Sequence, residues 1–215
     1  MRVAPEGIPF ISAGVLVLAL LTGAAGLAGG DGWYVLPVAW LPVTAWIVWF
    51  FRHPDRPGPR GEHLAIAPAD GKVVSVTELT EPDVLGGPGL RISIFMNVFD
   101  VHVNLHPVSG EVIYRQYRPG KFINATRDKA SEDNERMSIG IRSPHGRVLV
   151  RQIAGLVARR IRTDCAEGDR VRQGERLGII RFGSRVDTFL SGARARVAAG
   201  DRTRAGQTVI AEWPT

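Results

Sequence analysis

Gly168-Asp-Arg-Val-Arg-Gln-Gly174-Glu-Arg-Leu177 is echoed 32 residues later by Gly200-Asp-Arg-Thr-Arg-Ala-Gly206-Gln-Thr-Val209. Each copy reads as a Gly-Asp turn, a short strand, a second glycine turn and a further strand. Upstream, Val73-Val-Ser-Val-Thr77, Arg91-Ile-Ser-Ile-Phe95 and Gly110-Glu-Val-Ile-Tyr114 alternate or run apolar, as strands do. Val148-Leu-Val150 and Gly178-Ile-Ile180 add two more candidates, and Asp70-Gly71 and Gly87-Pro88 supply turn signals. Lys121–Met137 is polar and poorly periodic, so a loop with at most a short helix is expected there. Residues 64–215 therefore predict a mainly β domain of the β-sandwich class.

The paired glycine turns resemble the barrel-sandwich hybrids that carry biotin or lipoate. The likeness concerns shape alone, because neither copy has the lysine that such carriers modify at the hairpin tip. Ahead of the β region the composition changes abruptly. Residues 1–51 hold only Arg2, Glu6 and Asp31 as charged side chains, whereas 26 Lys+Arg and 19 Asp+Glu, a net +7, fall in residues 52–215. With 45% hydrophobic residues over the whole chain, a disordered protein is excluded. The one cysteine, Cys165, excludes an intramolecular disulfide framework and a Cys-rich zinc site, and no metal is expected.

Ile8–Ala28 is free of charge for 21 residues and Trp33–Phe51 for 19. Each length suits a helix crossing the hydrocarbon core. Gly29-Gly30-Asp31-Gly32 makes a short connector, so residues 1–51 predict a transmembrane helical hairpin. Trp33, Tyr34, Trp46 and Trp49 near the ends of the second segment suit the interface, and Pro37 and Pro42 are expected to bend it. Arg2 before the hairpin and Arg52, Arg56 and Arg60 after it, with no cation in the connector, put both ends in the cytoplasm. Residues 52–63 read as a stiff, Pro-rich basic linker whose arginines lie beside anionic headgroups, at roughly 1 kcal/mol each. A membrane-facing surface accounts for the positive charge without nucleic acid.

Three stretches carry the chemistry: Ala67-Pro-Ala-Asp-Gly-Lys72, Phe99-Asp-Val-His-Val-Asn104 and Arg181-Phe-Gly-Ser-Arg-Val-Asp187. Alone, Asp70 reads as a turn residue, His102 as a structural histidine and Gly183-Ser184 as a loop. A Ser/His/Asp hydrolase set is conceivable, but Phe182-Gly-Ser-Arg-Val lacks the Gly-x-Ser-x-Gly elbow. In this order, behind a membrane anchor and the Phe50-Phe-Arg-His-Pro-Asp-Arg linker, the stretches resemble the phosphatidylserine decarboxylases, above all their short bacterial and archaeal-type branch. The resemblance covers the chain from about Phe50 to its end.

That resemblance implies autocatalytic cleavage between Gly183 and Ser184, giving a β chain, 1–183, and an α chain, 184–215. A serine hydroxyl can attack the preceding carbonyl and turn the amide into an ester, and glycine relieves the backbone for that approach. His102 is the expected base, with Asp70 or Asp100 orienting the imidazole. Elimination would leave dehydroalanine, which hydrolyses to a covalent pyruvoyl group derived from Ser184, the only cofactor implied. Its carbonyl would take the amine of phosphatidylserine in the membrane as a Schiff base and accept the electrons released with carbon dioxide. His102 is also the first choice for the acid that protonates the product.

One position departs from the longer family members, which carry a second histidine three places after the first; here that place is Leu105. His106 is adjacent, would face away from that position on a strand, and is expected to be structural. His53, His63 and His145 read as solvated linker or turn residues. Arg115, Arg118 and Lys121 are candidates for the headgroup phosphate. Archaetidylserine-type decarboxylation is the alternative substrate reading, and a non-enzymatic membrane-tethered β-sandwich adaptor the alternative function. A homo-oligomer is left open.

Overall fold

The computed structural model describes residues 2–120, 134–155, 160–181 and 183–214. They form two compact units, 1–55 and 56–215. In the first, β1 (Arg2–Val3) pairs with β2 (Arg52–His53), and between them lie α1 (Ile8–Ala28) and α2 (Val35–Phe50). Each helical segment is long and apolar enough to cross a membrane. Gly29 at φ +70° ends α1, a left-handed conformation that glycine takes without strain. Gly14 lets the helices approach: its carbonyl accepts from Trp40 Nε1 at 3.0 Å and Thr44 Oγ1 at 3.4 Å. Pro37 falls in the first turn of α2, where a missing N–H removes no helical bond, whereas Pro42 lies inside the helix.

The second unit is built of antiparallel strands. They run β3 (Leu64–Ile66), β4 (Gly71–Glu81), β5 (Gly87–Met96), β6 (Val103–Leu105), β7 (Gly110–Arg118), β8 (Arg136–Ser143) and β9 (Gly146–Ala154). There follow β10 (Ile161–Thr163), β11 (Arg170–Val171), β12 (Arg176–Ile180), β13 (Ser184–Leu190), β14 (Arg194–Ala195), β15 (Arg202–Thr203) and β16 (Val209–Glu212). A curled sheet has the order β11-β7-β8-β9-β13-β5-β4-β15, and two small sheets have the orders β10-β12-β6 and β14-β16-β3. Ile92, Ile94, Ile139, Ile141, Val150 and Val186 from the large sheet share one core with Leu177, Ile180, Ile210 and Ala211 from the small ones. The mainly β expectation holds.

The echo at 168 and 200 is half of a larger duplication. Gly168 and Gly200 donate their N–H to Val112 O at 2.8 Å and Val73 O at 2.9 Å; Gly174 and Gly206 donate to His106 O and Ala67 O, both at 2.9 Å. The partners themselves repeat, as Ala67-Pro-Ala-Asp-Gly-Lys-Val73 and His106-Pro-Val-Ser-Gly-Glu-Val112. The large sheet accordingly matches β11 with β15, β7 with β4, β8 with β5 and β9 with β13. The approximate two-fold axis passes between β9 and β13.

Two local expectations are corrected. Arg136 and Met137 are not loop: they open β8, paired with Arg118 and Tyr117 on one side and Ile153 and Gln152 on the other. Of the remainder of that predicted loop, 121–133 lies outside the described residues. Gly87-Pro88 is strand, opposite Glu81 and Thr80; the turn precedes it, with Gly86 at φ +70°. Pro88 is the second residue of β5 and lies beyond the end of β13, which stops opposite Leu90, a strand-end position that suits proline.

Candidate active site

The third motif becomes a strand start. Gly183 has φ +64° and open space where a Cβ would stand, so its requirement for glycine is conformational rather than steric. Ser184 begins β13, between Met96 on β5 and Ala154 on β9, and is fully buried. Its Oγ has no hydrogen-bond partner among the described residues. An orphaned buried hydroxyl costs stability, so something other than packing retains it.

His102, also fully buried, sits just before β6. The Gly183 N–H donates to its Nε2 at 3.3 Å, and its Nδ1 lies 3.0 Å from the Asp100 main-chain oxygen. A carbonyl only accepts, so Nδ1 carries the proton and Nε2 turns its lone pair to the Gly183 N–H. The pairing of β6 with β12 brings these distant segments together.

Neither expected carboxylate reaches the imidazole. Asp100 Oδ2 turns back to accept from Asn97 N–H at 2.9 Å, and its Oδ1 accepts from Arg202 at 2.9 Å; it is the Asp100 carbonyl that meets His102 Nδ1. Asp70 is buried and accepts from Nη1 and Nη2 of Arg56 and from Ala205 N–H at 2.8 Å. In the other half of the duplication Ser109 Oγ accepts from Gln173 N–H at 2.9 Å, so Asp70 occupies a turn-fixing position of the fold. Arg56 is thus held by the β domain rather than by headgroups, and Arg60 donates to Gly206 O at 2.7 Å. Arg52 donates to Trp49 O and lies over its ring.

His106 is the counterpart of Ala67, with its Nδ1 buried and unpartnered among the described residues. Burial pushes its pKa down to about 4, against a smaller upward pull from Glu175. It lies four residues from His102, about 13 Å along an extended chain. His63 is partly buried, His145 is exposed and stacks on Trp213 at 5.9 Å, and His53 belongs to β2. Arg115 and Arg118 are exposed on β7, and Lys121 lies outside the described residues.

Two site residues escaped the sequence reading. Fully buried Gln152 on β9 donates Nε2 to Oδ1 of fully buried Asn104 at 2.7 Å. Asn104 Nδ2 contacts Met96 Sδ at 3.6 Å. The available signal was one glutamine inside Val148-Leu-Val-Arg-Gln-Ile-Ala154, and the asparagine two places after His102.

A buried serine after a left-handed glycine, with a histidine from a distant segment accepting the glycine N–H, suits intramolecular acyl transfer. A family model described as phosphatidylserine decarboxylase matches residues 43–211. That is more than half of the 215-residue chain, and the chain belongs to that family of carboxy-lyases.

Proposed function

We propose, from that membership, that the chain cleaves itself between Gly183 and Ser184 and then converts phosphatidylserine to phosphatidylethanolamine and carbon dioxide. The observation that carries the reading is the placement of His102 Nε2 at 3.3 Å from Gly183 N, one residue from the bond to be cut. Ser184 Oγ attacks the Gly183 carbonyl carbon and the C–N bond to Ser184 breaks, leaving an ester. The hydroxyl proton passes by way of His102 to the departing nitrogen. Loss of the Ser184 Cα proton then expels Gly183 as its carboxylate and separates the chains. Burial of both side chains suits a reaction that needs no substrate to enter. Asp100 positions His102 through its carbonyl, and Asp70 fixes the adjoining frame.

The orphaned Ser184 Oγ and the left-handed Gly183 fit Ser184 as the source of the covalent pyruvoyl group. When present, that group supplies an electron sink for the pair released with carbon dioxide. His102 then holds the proton that replaces the lost carboxylate. The apolar hairpin anchors the chain in the cell membrane with the β domain on the cytoplasmic side, which the flanking Arg2 and Arg52 support. A domain with a net +7 favours a headgroup bearing phosphate and carboxylate.

Intact mass of the purified chain tests the reading. Two chains of 183 and 32 residues are expected, with Ser184→Ala giving one uncut, inactive chain. An uncut wild type with a reactive serine would instead indicate a hydrolase, and an uncut inert one an adaptor.

A further inference from the structure

The amide pair beside Ser184 is placed by strand register. Residues paired across a sheet point to the same side, so Met96, Ser184 and Ala154 share one side of the sheet, with Gln152 two places along β9 on that side too. Asn104 touches Met96 on one flank of β13 and Gln152 on the other, so its amide bridges over the start of β13, where Ser184 stands. A thioether is a weak acceptor, which leaves Asn104 Nδ2 an under-used donor in a buried site. Gln152 Oε1, like Ser184 Oγ, is buried without a partner among the described residues. Apolar residues of the same shape would be the cheaper way to fill this space.

We propose that Asn104 Nδ2 donates to the negative charge that develops on the Gly183 carbonyl oxygen during self-cleavage, and that Gln152 is the positioning residue that orients the Asn104 amide. This rests on the self-cleavage reading above. As the Ser184 Oγ–carbon bond forms, the carbonyl π electrons move to oxygen. As the carbon–nitrogen bond breaks they return, and the proton from Oγ ends on the Ser184 nitrogen. A donor aimed at that oxygen acts on the transition state and leaves little trace in the resting chain.

The test is a time course of full-chain self-cleavage, translated cell-free into detergent micelles and read on a denaturing gel. Asn104→Leu is expected to slow cleavage about 100-fold or more. Gln152→Met, which releases the Asn104 amide, is expected to slow it less. Gln152→Glu draws Nδ2 onto a carboxylate and should be slower than Gln152→Met, although it keeps a hydrogen bond. Melting of the same substitutions in a Ser184→Ala background reports folding alone and should change little. Asn104→Leu cleaving within threefold of wild type would overturn the proposal. If Asn104→Leu does not fold, Gln152→Glu cleaving as fast as Gln152→Met does so. A wild type that stays one chain would instead remove the self-cleavage reading.

Discussion

His102 and Gly183 are 81 residues apart in the chain, yet the Gly183 N–H donates to the imidazole Nε2 at 3.3 Å. The Asp100 carbonyl holds the Nδ1 proton, so the ring cannot exchange tautomers without losing both bonds. A basic lone pair is thereby kept one residue from the Gly183–Ser184 bond.

His102→Ala is expected to slow self-cleavage at least 100-fold, the lower range of general-base contributions. His106→Ala, remote along the strand, is expected to keep most of it. Conversion of precursor to two chains, followed by gel over time, checks both. A dead His106→Ala with an active His102→Ala would reverse the assignment.

Asp70 is expected to act through the frame. Asp70→Asn keeps an acceptor for Ala205 but deprives Arg56 of its charge partner, in a pair whose side chains are 17% and 11% exposed. Breaking such a pair costs about 3 kcal/mol, or roughly 6–12 °C in melting temperature. The folded fraction should still cleave. Lost cleavage at an unchanged melting temperature would put Asp70 among the reacting groups.

Acid should find His106. Its folded pKa of about 4 lies below the unfolded value of 6.5, so between those values only the unfolded chain takes up the proton. Its stabilising contribution is full above about pH 6.5 and falls by up to about 3 kcal/mol as pH drops to about 4. His106→Gln removes this loss. Denaturant unfolding from pH 7 to 4 should show a shallower decline in the variant, and equal slopes would refute it.

Deleting residues 1–55 should leave a β domain that folds and cleaves. The second compact unit starts at Arg56, and all the proposed groups lie within it. A deletion through residue 63 also removes Arg56, Arg60 and the Gly61 N–H bond to Gln173, and should melt lower. Calorimetry and intact mass of both truncations check this. A soluble, folded 56–215 that stays uncut would bring the hairpin into the reaction.

The helices were legible because a charge-free run of membrane length has few alternative uses. The expected spans at Ile8 and Trp33 became helices starting at Ile8 and Val35. Strands with partly exposed residues, such as Gly71–Glu81, were legible through their runs of valine and threonine. Ser184–Leu190 was not: every residue is buried, Arg185 and Asp187 included, because they pair with each other at 2.6 Å. A strand covered on both sides shows no period-2 contrast, and its charges read as surface.

The sequence by itself determined the two apolar helices, the β class, the glycine-turn echo and the motif containing Gly183-Ser184, since each depends on neighbours in the chain. Tertiary structure alone decided which partner each polar group meets. It gave His102 the carbonyl of Asp100 rather than a carboxylate, gave Asp70 to Arg56 and Ala205, and brought Asn104 onto Met96 and Gln152 across β13. Hydrogen bonds depend on distance in space, and strand pairing sets those distances between residues whose separation along the chain carries no trace of them.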